Sequence, residues 1–193
     1  MKNYNFFAYL SRMKYIKRWS LMHSTVKENV MEHSAEVAQI AHALGMINKF
    51  VFGGSANPDK LAALAIFHEA AEVITGDLPT PIKYYNEDIR SAYKSIEAIA
   101  ERQLVNMLPT EFADAYTEYV TPDTASLEGK LLKAADKLAA YVKCLEELKY
   151  GNKEFLKAKN ATLKALKDMA LPEVDYFFEN FIRGYELTLD ELD

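Results

Sequence analysis

The stretch from Phe67 to Val73 reads FHEAAEV and sets an imidazole and two carboxylates, His68, Glu69 and Glu72, in otherwise apolar surroundings. A buried carboxylate without a cation, a proton or hydrogen-bond donors is expensive, so such groups need partners. A neutral imidazole beside carboxylates is a ligand set suited to a divalent metal ion. By helical spacing, His68 and Glu72 share a face with Leu61, Leu64 and Ala65. Glu69 turns about 100° away and aligns with Ala62, Ile66 and Val73. Two more ionisable groups recur on apolar faces. His33 lies among Val37, Ile40 and Leu44, and Asp136 has Leu132 and Ala140 one turn to either side. Three segments could therefore bring together an open site of oxygen and nitrogen ligands. The same spacing also fits a hydrogen-bonded core histidine at His68 and an acid at Asp136 paired with Lys133 or Lys137. Spacing leaves both readings open.

The elements that must position these groups read as helices. Apolar residues recur at three and four, and no sustained alternation of period two appears. Phe6, Phe7, Leu10 and Met13 mark a first helix, and a second runs from Val30 or Met31 to about Asn48. Asn57-Pro58 starts a third, by an N-cap followed by proline at the first helical position, and the pattern carries it to about Val73. TGDLPTP, Thr75 to Pro81, breaks the pattern. A long helix follows over about Glu87 to Met107, with a short one after Pro109-Thr110. Thr124, with Glu128 nearby, opens another that Gly151 ends after Tyr150. Two more cover about Asn152 to Met169 and Pro172 to Leu187. The expectation is one all-α domain over residues 1–193.

Composition bounds the function. Half of the 193 residues are hydrophobic and 26% are charged, with only 7 Gly and 6 Pro, which is a globular profile. The net charge of -5 gives no basic footprint, so a nucleic acid polymer is not expected as a partner. No apolar run approaches the ~18 residues of a membrane span. The N-terminus has no clean apolar core or cleavage site, and the single cysteine, Cys144, reads as a buried small hydrophobe in a reducing compartment. The expected location is the cytoplasm.

ENVMEHS (Glu28 to Ser34), FHEAAEVITGDLPTPIKYY (Phe67 to Tyr85) and KAADKLAAYVKCLEELKYGNKEF (Lys133 to Phe155) together resemble the HD-domain metal-dependent phosphohydrolases. More narrowly they resemble the bacterial 5'-deoxynucleotidases of the YfbR type, and Arg18-Trp19 ahead of ENVMEHS fits that subgroup. The resemblance runs in order along nearly the whole chain. It implies an HD-domain helical bundle with His33, His68 and Asp136 as metal ligands. The remaining ligand position, an aspartate in the family, is Glu69 here. The extra methylene adds about 1.5 Å of reach.

The resemblance also implies roles beyond the ligands. Glu72 becomes the acid or base. Arg18 orients phosphate, and Trp19 stands beside the sugar against a 2'-hydroxyl. Asp77, Leu78, Pro79 and Thr80 form the nucleoside-binding segment. Plainer roles exist for several: Arg18 in a basic run with Lys14 and Lys17, Trp19 as a core anchor, Asp77 as a loop cap. The implied reaction is hydrolysis of a deoxyribonucleoside 5'-monophosphate to deoxyribonucleoside and phosphate. It would use a divalent cation, Co2+, Mn2+, Mg2+ or Zn2+, in a homodimer. The alternatives are an HD-fold hydrolase of another nucleotide, or a catalytically impaired nucleotide-binding protein in which Glu69 has disabled the site.

Overall fold

A computed structural model of the chain describes residues 3–83 and 85–192. Among them no strand forms; the one β feature is an isolated antiparallel bridge between Lys17 and Asn29. Ten α-helices follow in order: α1 (Phe6–Leu10), α2 (Val30–Phe50), α3 (Pro58–Phe67), α4 (Glu72–Thr75), α5 (Thr80–Lys83), α6 (Glu87–Val105), α7 (Thr110–Val120), α8 (Leu127–Lys149), α9 (Leu156–Asp168) and α10 (Pro172–Asn180). Short 3-10 segments cover Ser11–Tyr15, Lys153–Phe155, Ile182–Glu186 and Leu189–Glu191.

Local chemistry fixes the ends of the helices that matter most. Asn29 accepts from the backbone N–H groups of Met31 and Glu32, and Glu32 reaches back to the Asn29 N–H, a reciprocal cap that starts α2. Asn57 caps α3 through the Lys60 N–H, with Pro58 in the first turn. The cap of α8 is Ser126, which accepts from the Gly129 N–H, rather than Thr124. The core lies where α2, α3 and α8 meet, around the fully buried Leu44, Leu61, Leu131 and Leu138. At Gly45 α2 passes so close to α3 that a Cβ there would sit 2.8 Å from the Pro58 Cα. A second apolar cluster joins Phe6 to Ala70, Leu104, Leu108 and Val120. In the aromatic C-terminal run, Val174, Phe177 and Ile182 are core, while Phe181 and Tyr185 are exposed.

One boundary departs from the sequence expectation. The helix expected to reach Val73 ends at Phe67, and the chain turns through residues 68–71 before α4. The His68 side chain explains the change. Its Nδ1 lies 2.6 Å from the Ala65 carbonyl oxygen and competes for the acceptor that a continuing helix would use. The N–H groups of Ala70, Glu72 and Val73 then bond back three residues instead of four. Winding tightens there, so straight-helix extrapolation fails for Glu69: Ile66, on its expected stripe, is 50% exposed, whereas Glu69 is largely buried. Gly76, with φ of +72°, then ends α4 and releases the chain into the loop that carries Asp77.

Candidate metal centre

Three segments contribute. His33 stands in the first turn of α2, fully buried. His68 and Glu69 lie in the turn after α3, and Asp136 in the middle of α8. One ligand atom from each of His33, His68, Glu69 and Asp136 falls within 4.8 Å of the others, an arrangement that could hold a metal ion. His33 Nε2 is 3.0 Å from Asp136 Oδ1, His68 Nε2 is 3.5 Å from Glu69 Oε1, and the imidazole centroids are 5.6 Å apart. The longer glutamate therefore reaches the cluster.

Two observations fit a divalent cation. Nδ1 of a neutral His68 donates to the Ala65 carbonyl, which leaves Nε2 bare. That Nε2 is buried and has no hydrogen-bond partner among the described residues. Charge points the same way. Asp136, Glu28, Glu69 and Asp77 all act on the Arg18 guanidinium, so one fixed cation faces several carboxyl groups. Burial alone would lower the Arg18 pKa, but Asp136 first, and then the other three, hold it above its ordinary value. Burial would raise Asp136, yet the His33 hydrogen bond, the two imidazoles and Arg18 hold its carboxyl well below the usual range. Burial and the adjacent Glu69 push the Glu72 pKa far above the ordinary carboxylate value. Burial likewise raises Asp77, although Arg18 opposes it.

Arg18 and Trp19 stand on a strap, residues 16–30, held by two backbone bonds. The Arg18 N–H donates to the Glu28 carbonyl at 3.1 Å, and the Val30 N–H to the Ile16 carbonyl at 3.0 Å. Arg18 Nε donates to Glu28 Oε2 at 3.1 Å, while its two terminal amino groups make no hydrogen bond among the described residues. Trp19 has a φ of +57°, unusual for so bulky a side chain. Its indole leans on Phe155, with centroids 5.2 Å apart.

The other expected residues are placed less tightly. Glu72 opens α4 beside Glu69, and Asp77 faces Arg18 and Glu69 electrostatically. Leu78 and Pro79 are half-buried in the loop and Thr80, exposed, begins α5; none of the three makes a side-chain hydrogen bond to the cluster. Lys83 is occupied elsewhere: its Nζ donates to Glu97 at 2.9 Å and sits 4.9 Å from the Tyr93 ring centroid. Sequence reasoning gave no role to Glu28 or to the buried pair Lys143 and Glu147. Glu147 accepts from the Thr25 N–H, the Val26 N–H, Lys143 Nζ and Asn152 Nδ2 at 2.8, 3.1, 2.7 and 2.8 Å, tying the strap to α8.

Comparison with known proteins places this arrangement. Residues 5–185 match the family model described as 5'-deoxynucleotidase YfbR-like. A 5'-deoxynucleotidase from Vibrio atlanticus (strain LGP32) is 49% identical over 193 residues, 100% of each chain. The crystal structure of an HD-domain phosphohydrolase from Listeria innocua has a TM-score of 0.80 at 25% identity, over 94% of this chain and 88% of its own. The cyanophage S-2L HD phosphohydrolase DatZ, bound to dA and one catalytic Zn2+ ion, shares the fold at a TM-score of 0.65 and 21% identity, over 92% of this chain and 96% of its own. Sequence, fold and the clustered ligands agree, and the chain belongs to the YfbR-like family of 5'-deoxynucleotidases.

Proposed function

We propose that the chain is a single HD domain that hydrolyses deoxyribonucleoside 5'-monophosphates to the deoxyribonucleoside and phosphate. The observation that carries the reading is the convergence of His33, His68, Glu69 and Asp136 within 4.8 Å, beside an arginine whose two terminal amino groups make no hydrogen bond among the described residues. A divalent cation held by these four groups would draw charge from a phosphoryl oxygen and acidify water. Its identity among Co2+, Mn2+, Mg2+ and Zn2+ is left to measurement, because an oxygen and nitrogen donor set suits them all.

The chain's own groups do the rest. Arg18 offers its terminal amino groups to the remaining phosphate oxygens and fixes the line of attack. Glu72, whose pKa burial and Glu69 push up, is suited to deliver a proton to the 5'-oxygen as the ester bond breaks. Asp77 accepts a hydrogen bond from the 3'-hydroxyl, so an analogue lacking it leaves a half-buried carboxyl group without that donor. Leu78, Pro79 and Thr80 continue the same nucleoside-binding loop. The Trp19 indole occupies space beside C2' and excludes a hydroxyl there, so selection works against ribonucleotides. Support for retained function despite Glu69 comes from its place within the ligand cluster. We take the working unit to be a cytoplasmic homodimer, in keeping with the family resemblance.

Phosphate release from dAMP and AMP, with and without added Mn2+ or Co2+, tests the reading. Metal-dependent release with a strong preference for dAMP is expected. Equal rates on the two nucleotides refute the role of Trp19, and release unaffected by a chelator refutes the metal site.

A further inference from the structure

We infer that Glu28 is a positioning residue that sets three parts of the site at once: the His33 ring, the Arg18 fork and the Trp19 indole. The claim rests on the metal and nucleotide roles proposed above. Glu28 lies outside the ligand set, yet its side chain is only 10% exposed. One carboxylate oxygen, Oε2, accepts from Arg18 Nε at 3.1 Å and from Trp19 Nε1 at 2.9 Å. The other oxygen, Oε1, lies 3.8 Å from Nδ1 of the fully buried His33. That Nδ1 has no hydrogen-bond partner among the described residues, although its burial demands one.

The chemistry of each contact gives Glu28 its role. For His33 Nε2 to offer a lone pair to a cation, the ring proton must sit on Nδ1, and Glu28 Oε1, 3.8 Å away, is the carboxylate oxygen that a small shift of the ring would bring within hydrogen-bond reach. A histidine that ligates a metal commonly donates its other N–H to such a carboxylate, which fixes ring orientation and raises ligand basicity. Holding Arg18 by Nε alone turns the two terminal amino groups away from Glu28, where a phosphate can take them. The indole bond holds Trp19 in a left-handed backbone conformation that persists only where surroundings over-determine it. Those surroundings are Glu28 on the N–H edge of the ring and Phe155 against the ring itself.

Glu28→Gln separates this role from a merely structural one. The amide has the same shape but no charge, and its N–H2 group must face either His33 Nδ1 or the Arg18 and Trp19 N–H groups, so it cannot act as an acceptor on both sides. We expect the variant to fold with an unchanged circular dichroism spectrum. Its affinity for Mn2+, read by calorimetric titration, should fall about 10–100-fold. The emission of Trp19, the only tryptophan, should shift, and the ratio of kcat/KM for dAMP over AMP should fall at least ~10-fold. Glu28→Asp, which keeps the charge and both oxygens, should recover part of each effect. Should Glu28→Gln fail to fold, Glu28→Asp is read by the same three measurements. Unchanged Mn2+ affinity, emission and nucleotide preference in a folded variant overturn the inference. An unmutated chain that does not prefer dAMP refutes the proposed function instead, and Mn2+ affinity and Trp19 emission then decide the role of Glu28 alone.

Discussion

Replacing Glu147 by glutamine tests the buried contact that ties the strap of Arg18, Trp19 and Glu28 to α8. Glu147 is fully buried and accepts four hydrogen bonds, two of them from the backbone at Thr25 and Val26. Its cationic partner Lys143 is 4% exposed and also donates to the Val26 carbonyl and to Glu146. Glu147→Gln keeps the shape, but it leaves a buried ammonium without its main counter-charge and turns an N–H2 group toward existing donors. Breaking one partner of a buried ion pair costs about 3–5 kcal/mol. For a chain of this length that lowers the thermal midpoint by about 6–20 °C. Acid provides an independent check. Burial alone would raise the Glu147 pKa, but the bonds from Lys143, Asn152, Thr25 and Val26 bring it down to about 2. A depressed folded-state pKa means that the contribution is complete above the unfolded value of about 4.3 and is lost as pH falls toward 2. Urea unfolding of both proteins should therefore show a constant stability gap above about pH 5, narrowing steadily on acidification. The variant should also show a raised KM for dAMP, since the strap loosens. A gap below about 1 kcal/mol, or one unchanged down to pH 2, refutes the reasoning.

Glu69→Asp withdraws the carboxylate by about 1.5 Å; since Glu69 already reaches the cluster, Mn2+ affinity and dAMP turnover should stay within about tenfold of the unmutated chain. A gain of several orders of magnitude by calorimetry and phosphate release would mean that Glu69 disables the site. Mn2+ at a hundred times its Kd should stabilise the protein by about 2.7 kcal/mol in thermal unfolding, and His68→Ala should abolish that shift. Gly45→Ala would set a Cβ 2.8 Å from the Pro58 Cα, so it should destabilise by about 1–3 kcal/mol in urea; a neutral result would show that α2 and α3 separate easily.

What the sequence makes legible is local. Asn57-Pro58 marks the start of α3, the prolines and Gly76 mark the loop, and Gly151 ends the long α8, because each effect acts within one turn of chain. His33, His68 and Asp136 stand out as polar groups on apolar stripes for the same reason. The turn at residues 68–71 is invisible to periodicity, since it follows from where one imidazole nitrogen finds its acceptor. Glu147 looks like any helical acid in an i, i+4 pair with Lys143. Its meaning comes from backbone donors 121 and 122 residues away, brought to it only by folding. Glu28 is hidden in a similar way. Its neighbours in sequence suggest a solvated acid ahead of a helix, while its partners are an indole, a guanidinium and a buried imidazole.

The engagement of Lys83 by Glu97 and the Tyr93 ring bears on how long a phosphate chain the cleft tolerates. Lys83 still acts on Asp77 and Glu69, but among the described residues it is Arg18 that acts on Glu69, Asp77 and Asp136 together. A monoester dianion brings two negative charges, which a guanidinium and a divalent cation balance with one positive charge to spare for the surrounding acids. A nucleoside triphosphate adds about two more, which Lys83 could receive only by leaving Glu97, and at short range each uncompensated like-charge contact costs about 1–4 kcal/mol. On the reaction proposed above, charge accounting would make the cleft a filter for tail length, because the nearest spare ammonium is already engaged rather than because a wall stands in the way.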